Sequence, residues 1–241
     1  IRLGHPARVT ESSLSLTLDA QIAAHPQYSD LRKMRKRMEE LKSQAYKRRR
    51  SSGFSEREER RMMLMESKML KADADLLEFH IITGLLQQAE AICCTLTGAS
   101  HHLLKGRKFR TVFIDEAGQA LEPACWIPLL KASRVVMAGD HCQLPPTVKS
   151  REASLNGLSM TLFEQAIARF PKQSAMLEVQ YRMNESIMAF SSEWFYQNRL
   201  IAHESVAHGQ LRPNIPPVTW LDTAGCGFSE AQDKETLSRF N

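Results

Sequence analysis

No glycine in this chain is followed by lysine, so its 241 residues contain no phosphate-cradling G-x-x-x-x-G-K-[ST] loop. No uninterrupted apolar run approaches the roughly 20 residues that a membrane-spanning helix needs. No signal-peptide pattern opens the chain. Cysteines number only five, at 93, 94, 125, 142 and 226. An odd count argues against a disulfide framework and for reduced thiols, so a soluble cytoplasmic protein is expected. Zinc is equally disfavoured: Cys93 and Cys94 are neighbours on an expected strand and would point to opposite faces, which denies them a shared ion with His101 and His102. Internal repeats are absent. What remains is ordinary for a globular protein, with 43% apolar and 24% charged residues.

The net charge of +5 is unevenly placed. Residues 30–75 hold 15 Lys and Arg against 9 Asp and Glu, a balance of +6, whereas the rest of the chain holds 17 against 18. A localised basic element attracts polyphosphate backbones, and a solvated helix face is its simplest alternative. The same segment is periodic. Leu31, Met34, Met38, Leu41 and Ala45 step by three and four, and Met62, Met65, Met69, Ala72, Leu76 and Phe79 repeat the pattern. Both stripes predict helices of about 20 residues paired as an antiparallel hairpin, with the methionines in the seam. Ser51–Ser55 reads as the turn, and Ser55 with Glu58 as a capping box.

Elsewhere strand and helix alternate. Strands are expected at about 90–95, 110–114, 134–138, 175–179 and 218–222, and helices at about 118–131, 157–169 and following the N-cap candidate Asn184. Strand–helix–strand units of this length imply a parallel sheet and an α/β fold. Two strands are especially informative. Thr111-Val112-Phe113-Ile114 runs into Asp115-Glu116, and Val135-Val136-Met137-Ala138-Gly139 runs into Asp140, followed by Gln143-Leu144-Pro145-Pro146. Buried strands that deliver acids at their C-terminal ends describe the working edge of a parallel sheet. A magnesium–nucleotide site is the chemistry that most often needs a carboxylate there, with Asp115 placed to hold Mg²⁺ and Glu116 to polarise a water.

Asp115-Glu116-Ala117-Gly118, Gly139-Asp140-His141-Cys142-Gln143-Leu144-Pro145-Pro146 and Gln180-Tyr181-Arg182-Met183 resemble motifs II, III and IV of superfamily 1 helicases, in order and in spacing. The likeness is to the up-frameshift-like branch, and within it to the immunoglobulin-μ-binding helicase type. It covers nearly the whole chain, least well between the two helical stripes. The resemblance implies RecA-like folding: a first domain at 1–25 and 81–178, an inserted helical hairpin at 26–80, and the opening of a second domain at 179–241. ATP and Mg²⁺ are the implied cofactors, with Asp115, Glu116, Gln143 and Arg182 catalytic. Asp140, Gln143, Tyr181 and Arg182 would meet the nucleotide, Tyr181 by stacking and Arg182 at the γ-phosphate. The residues Gly4, His5, Pro6, Thr95, Gly98 and Ala99 would contact the backbone of single-stranded DNA or RNA.

The expected activity is ATP-driven movement on a single strand, 5′ to 3′ by resemblance. It is expected of a monomeric parent rather than of these residues alone, since the P-loop is missing; an excerpt is favoured over a degenerate paralogue. The rival reading is a non-catalytic module that binds nucleic acid or protein through the basic hairpin.

Overall fold

The computed structural model describes residues 1–4, 9–47, 53–213, 215–227, 231–232 and 239–240. The chain forms two compact units, one of residues 1–139 and 145–162, the other of 140–144 and 163–241. His5 and Pro6 lie outside the described residues, as do Ser51 and Ser52 of the expected turn.

The first unit is built on three helices, α1 (Leu18–Ala24), α2 (Tyr28–Lys47) and α3 (Phe54–Gln88). The pairs Arg35–Glu78 (2.6 Å) and Arg37–Glu66 (3.6 Å), with Ser67 Oγ donating to the Met38 carbonyl at 3.3 Å, set α2 and α3 antiparallel. The α2 stripe faces inward as expected, with Leu31, Leu41 and Ala45 buried. The α3 stripe does not. Met62, Met65, Met69, Leu76 and Phe79 are all more than half exposed, and the buried line is Ser67, Ala74 and Ile81, seven residues apart. Small side chains at 67 and 74 let the helices approach closely, and a periodicity count that scores only apolar residues passes over a buried serine. The expected capping box is also absent: α3 starts one residue before Ser55, with Gly53 as its N-cap and no side-chain cap.

Ile22, Leu31, Ala74 and Ile81 form one core cluster. Leu3, Leu86 and Leu104 form another, with Leu18 and Ile82 packed against both. The C-terminal turns of α3 therefore connect the helical pair to β1 (Phe109–Ile114), whose Phe109 packs on the second cluster. Segment 1–3 runs alongside 91–93, with Leu3 N–H donating to the Cys93 carbonyl at 2.8 Å, but this is an isolated bridge rather than the full strand expected at 90–95.

β1 pairs in parallel with β2 (Ala132–Met137), Ile114 opposite Met137, and α4 (Glu122–Leu129) crosses between them. β-Branched and aromatic residues favour extended backbone here. The strands are less buried than their apolar content predicts. Ile114 is buried, while Phe113 is 74% exposed and Val135 and Val136 are exposed. Neighbours along β1 point to opposite faces, which separates Ile114 from Phe113, and cover on either face is local: Phe109 packs on the second cluster while Phe113, on the same face, does not. The expected helix at 157–169 starts later, because Gly157 turns the chain at φ 96°; a single turn, α5 (Arg151–Ala153), precedes it and α6 (Leu162–Arg169) follows.

The second unit carries β3 (Val179–Gln180), α7 (Glu185–Tyr196), β4 (Ile201–Ala202) and α8 (Glu204–Ala207). β3 and β4 pair in parallel, and Arg199 donates twice to Glu178 Oε1 beside that pair, at 2.9 and 2.6 Å. Asn184 caps α7 as expected, its Oδ1 accepting from Ser186 N–H at 2.8 Å. Only the end of the strand expected at 175–179 forms, and 218–222 is not a strand; Leu177 and Trp220 are about 90% exposed, so neither run has a face to bury. The short antiparallel β5 (Ala231–Gln232) and β6 (Arg239–Phe240) complete an α/β chain with small, mostly parallel sheets.

Candidate functional site

Asp115 and Glu116 stand where the sequence places them, just past the C-terminal end of β1. The edge is fixed by backbone: Ala138 N–H donates to the Ile114 carbonyl and Ala117 N–H to the Ala138 carbonyl, both at 2.8 Å. Ala117 is buried beneath the two carboxylates, which are exposed. Asp115 Oδ1 accepts the Glu116 N–H at 3.0 Å. Glu116 itself is left-handed, φ 52°, a conformation that costs a side-chain-bearing residue about 1 kcal/mol and concentrates at functional positions. The turn lifts the Glu116 carboxylate off the strand axis, where Gln119 Nε2 reaches it at 3.5 Å. Asp115 thus commits one oxygen to the turn. A hard cation takes carboxylate oxygens, so the exposed Asp115 is a residue that could hold one.

Upstream in the first unit, Thr95, Gly98 and Ala99 form a tight turn. Thr95 Oγ1 accepts the Gly98 N–H at 3.0 Å, and Ala99 is buried. A Cβ on Gly98 would meet Thr95 Oγ1 at 2.9 Å and Cys94 Cβ at 3.3 Å, so a side chain there must displace the hydroxyl that accepts the Gly98 N–H. Gly4 follows the buried Leu3 with φ 139°.

Asp140 and Gln143 belong to the second unit. Asp140 is half-buried and accepts three hydrogen bonds: from Cys142 N–H at 2.9 Å on Oδ1, and on Oδ2 from Gln143 Nε2 at 2.8 Å and from the Tyr196 hydroxyl at 2.5 Å. Burial alone pushes the Asp140 carboxyl up; the bonds from Tyr196, Cys142 and Gln143, with attraction to His141, outweigh it and hold the group below its ordinary value. For Tyr196 burial and the Asp140 carboxylate act together, lifting the phenol well above its ordinary range. The ligand atoms of Asp140, His141 and Cys142 lie within 4.8 Å of one another. Both Asp140 oxygens are engaged in hydrogen bonds that hold the loop together.

Tyr181 and Arg182 occupy the turn after β3, both exposed. Gln180 shapes this turn, its Oε1 accepting from Arg182 N–H (2.8 Å) and Met183 N–H (2.9 Å) while its Nε2 donates to the Met183 carbonyl (2.7 Å). The Tyr181 ring stacks on His203, centroids 4.3 Å apart. Asp115 and Glu116 belong to the first unit, and Gln143, Tyr181 and Arg182 to the second. Sequence reasoning passed over two residues here, Gln180 and Tyr196. Gln180 opens the Gln180–Met183 motif, whose expected nucleotide contacts fall to Tyr181 and Arg182. Tyr196 lies 56 positions from the aspartate it binds, beyond any local pattern.

A further basic feature lies on α3, where Arg57, Arg60, Arg61 and Lys68 line a shallow concavity of about 410 Å³ with Leu64 and Met65. The buried Arg60 Nε there lacks a hydrogen-bond partner among the described residues. All five cysteines are free, and no helix among the described residues is long and apolar enough to cross a membrane.

Two family models, each described as an AAA domain, match residues 1–151 and 158–241. DNA-binding protein SMUBP-2 of Mesocricetus auratus is 37% identical over 256 residues, covering 100% of this chain and 25% of the relative. An uncharacterized ATP-dependent helicase of Methanocaldococcus jannaschii is 32% identical over 284 residues, covering 100% of this chain and 42% of its own length. DNA polymerase alpha-associated DNA helicase A of Saccharomyces cerevisiae is 32% identical over 274 residues, 100% of this chain and 39% of that protein. A regulator of nonsense transcripts 1 homolog of Drosophila melanogaster is 37% identical over 148 residues, 58% of this chain and 12% of that protein. The chain spans less than half the length of each of these relatives. Matched end to end by AAA-domain models and across its whole length by named helicases, it belongs to the up-frameshift-like branch of superfamily 1 helicases.

Proposed function

We propose that the protein carrying this chain is an ATP-dependent helicase or translocase acting on single-stranded DNA or RNA. The observation that carries the reading is the pair Asp115-Glu116, exposed past the end of a parallel strand with Glu116 held left-handed above a buried Ala117. The names of the archaeal and yeast relatives support the same class. Asp115 would hold Mg²⁺ through its uncommitted oxygen, and bound ATP would supply the phosphoryl group. Glu116 orients the attacking water. An ionised Asp140 accepts only, so the Gln143 amide must turn its NH₂ inward, which leaves Oε1 outward as an acceptor for a water or hydroxyl proton. Arg182, on an exposed turn, supplies positive charge for a γ-phosphate, and Tyr181 offers a ring for a base.

The finer architecture belongs to the same proposal. It comprises a RecA-like domain at 1–25 and 81–178, an inserted hairpin at 26–80 and a second RecA-like domain from 179. Gly4, His5, Pro6, Thr95, Gly98 and Ala99 approach the sugar–phosphate backbone, small residues letting amide groups come close. The cations on α3 give the hairpin a phosphate-tracking face. With no Gly-Lys phosphate loop in its sequence, the 241-residue chain alone should not turn over ATP.

The test is the ATPase rate of the whole protein with and without single-stranded oligonucleotide. Stimulation supports the reading; hydrolysis indifferent to single strands rejects it for another P-loop-type ATPase. A protein that binds nucleic acid and never hydrolyses ATP would be the non-catalytic module.

A further inference from the structure

The Asp140–Gln143 loop is held by the last turn of α7. At Tyr196 the phenol donates to Asp140 Oδ2 at 2.5 Å, and one residue earlier the Phe195 carbonyl lies 3.6 Å from Cys142 Sγ. The Tyr196 oxygen shares its acceptor atom with Gln143 Nε2, so phenol and amide are neighbours on one carboxylate oxygen. Oδ1 is meanwhile pinned by the Cys142 amide. Three bonds from three directions leave the carboxylate one orientation, and that orientation fixes the Gln143 amide. The three side-chain torsions of an exposed glutamine are otherwise free to rotate.

We propose that Tyr196 is a positioning residue for Gln143, acting through Asp140, so that the end of α7 sets where the Gln143 carbonyl oxygen stands during ATP hydrolysis. The assignment rests on the helicase reading above. The assignment requires no contact of Tyr196 with nucleotide or nucleic acid. Its effect travels through one oxygen atom, and only its hydroxyl is needed; the ring is retained in Tyr196→Phe.

Two measurements on the whole protein decide it. In Tyr196→Phe the Asp140 carboxylate swings more freely, and hydrogen exchange at the Cys142 amide should speed up. Nucleic-acid-stimulated kcat should fall about tenfold to a hundredfold with KM for ATP little changed, as for a small misplacement of a group acting after binding. Tyr196→Phe combined with Gln143→Ala should be no slower than Gln143→Ala alone, since the tyrosine has then nothing to position. Unaltered Cys142 exchange, wild-type kcat in Tyr196→Phe, or simple multiplication of the two defects would each overturn the assignment. A wild-type protein without ATPase activity would instead sink the helicase reading, and the exchange measurement would still report whether Tyr196 holds the loop.

Discussion

The four cations on α3 make a quantitative forecast about salt. Substituting Arg57, Arg60, Arg61 and Lys68 together by Gln removes four positive charges that line one concave face. Each phosphate neutralised on a single strand contributes about 0.7 to the slope of log K against log salt. Four contacts amount to about 2.8, so the variant should bind single-stranded oligonucleotide with a slope shallower by about that much. Between 50 and 200 mM salt, concentrations that bracket the usual range, wild-type affinity should then drop about fiftyfold more than that of the variant. The arginines that reach Glu78 and Glu66 are different ones, Arg35 and Arg37, so the α2–α3 pairing survives the change. Fluorescence anisotropy titrations at four or five salt concentrations measure it, with circular dichroism to confirm that α3 remains helical. An unchanged slope with intact helix would refute phosphate contact and return these residues to a solvated face.

Other outcomes follow from the same structure. Glu116→Gln in the whole protein should abolish ATP turnover while leaving nucleotide binding within a few-fold; equal loss of both in calorimetry and steady-state assays would refute its water-orienting role. Leu31→Ala deletes a side chain with 0% exposure at the α2–α3 seam and should cost about 2–5 kcal/mol. Met69→Ala, 61% exposed on the same helical pair, should cost less than about 0.5 kcal/mol. Urea unfolding distinguishes the two, and similar losses would restore the methionine seam. The raised Tyr196 phenol gives a signed pH effect. Its stabilisation is complete below the unfolded tyrosine value of about 10 and is lost as pH rises towards the folded one. The depressed Asp140 contributes in the opposite window, its stabilisation present above about pH 4 and lost as pH falls. Tyr196→Phe should remove the latest phenolate component from an alkaline absorbance titration and lessen the alkaline loss of stability.

Much of the site was legible because its chemistry is local. Strand β1 shows as an apolar run that ends abruptly in Asp115-Glu116, and Asn184 announces α7 by its capping side chain. The left-handed turn at Glu116 was not legible, since Glu carries no preference for it; the backbone bonds from Ala117 and Ala138 enforce it. The α3 seam departs from the apolar stripe for a similar reason. Hydrophobicity ranks Met65 above Ser67, yet helix approach favours the smaller residue, and Ser67 brings a hydroxyl that reaches the Met38 carbonyl. Strands expected at 90–95 and 218–222 failed because local β-propensity needs a neighbour to pair with, and their pairing does not extend beyond a bridge at Cys93.

Helix α3 runs 35 residues without a break from Phe54 to Gln88. At 1.5 Å per residue that is a rod about 52 Å long, with its far end seated through Leu86 in the cluster that also holds Phe109. Mechanically it is a lever with its fulcrum beside β1. A tilt of about 2° at Leu86 carries Phe54 through about 2 Å, so sub-ångström repacking beneath the strand that bears Asp115 becomes a full atomic displacement at the tip.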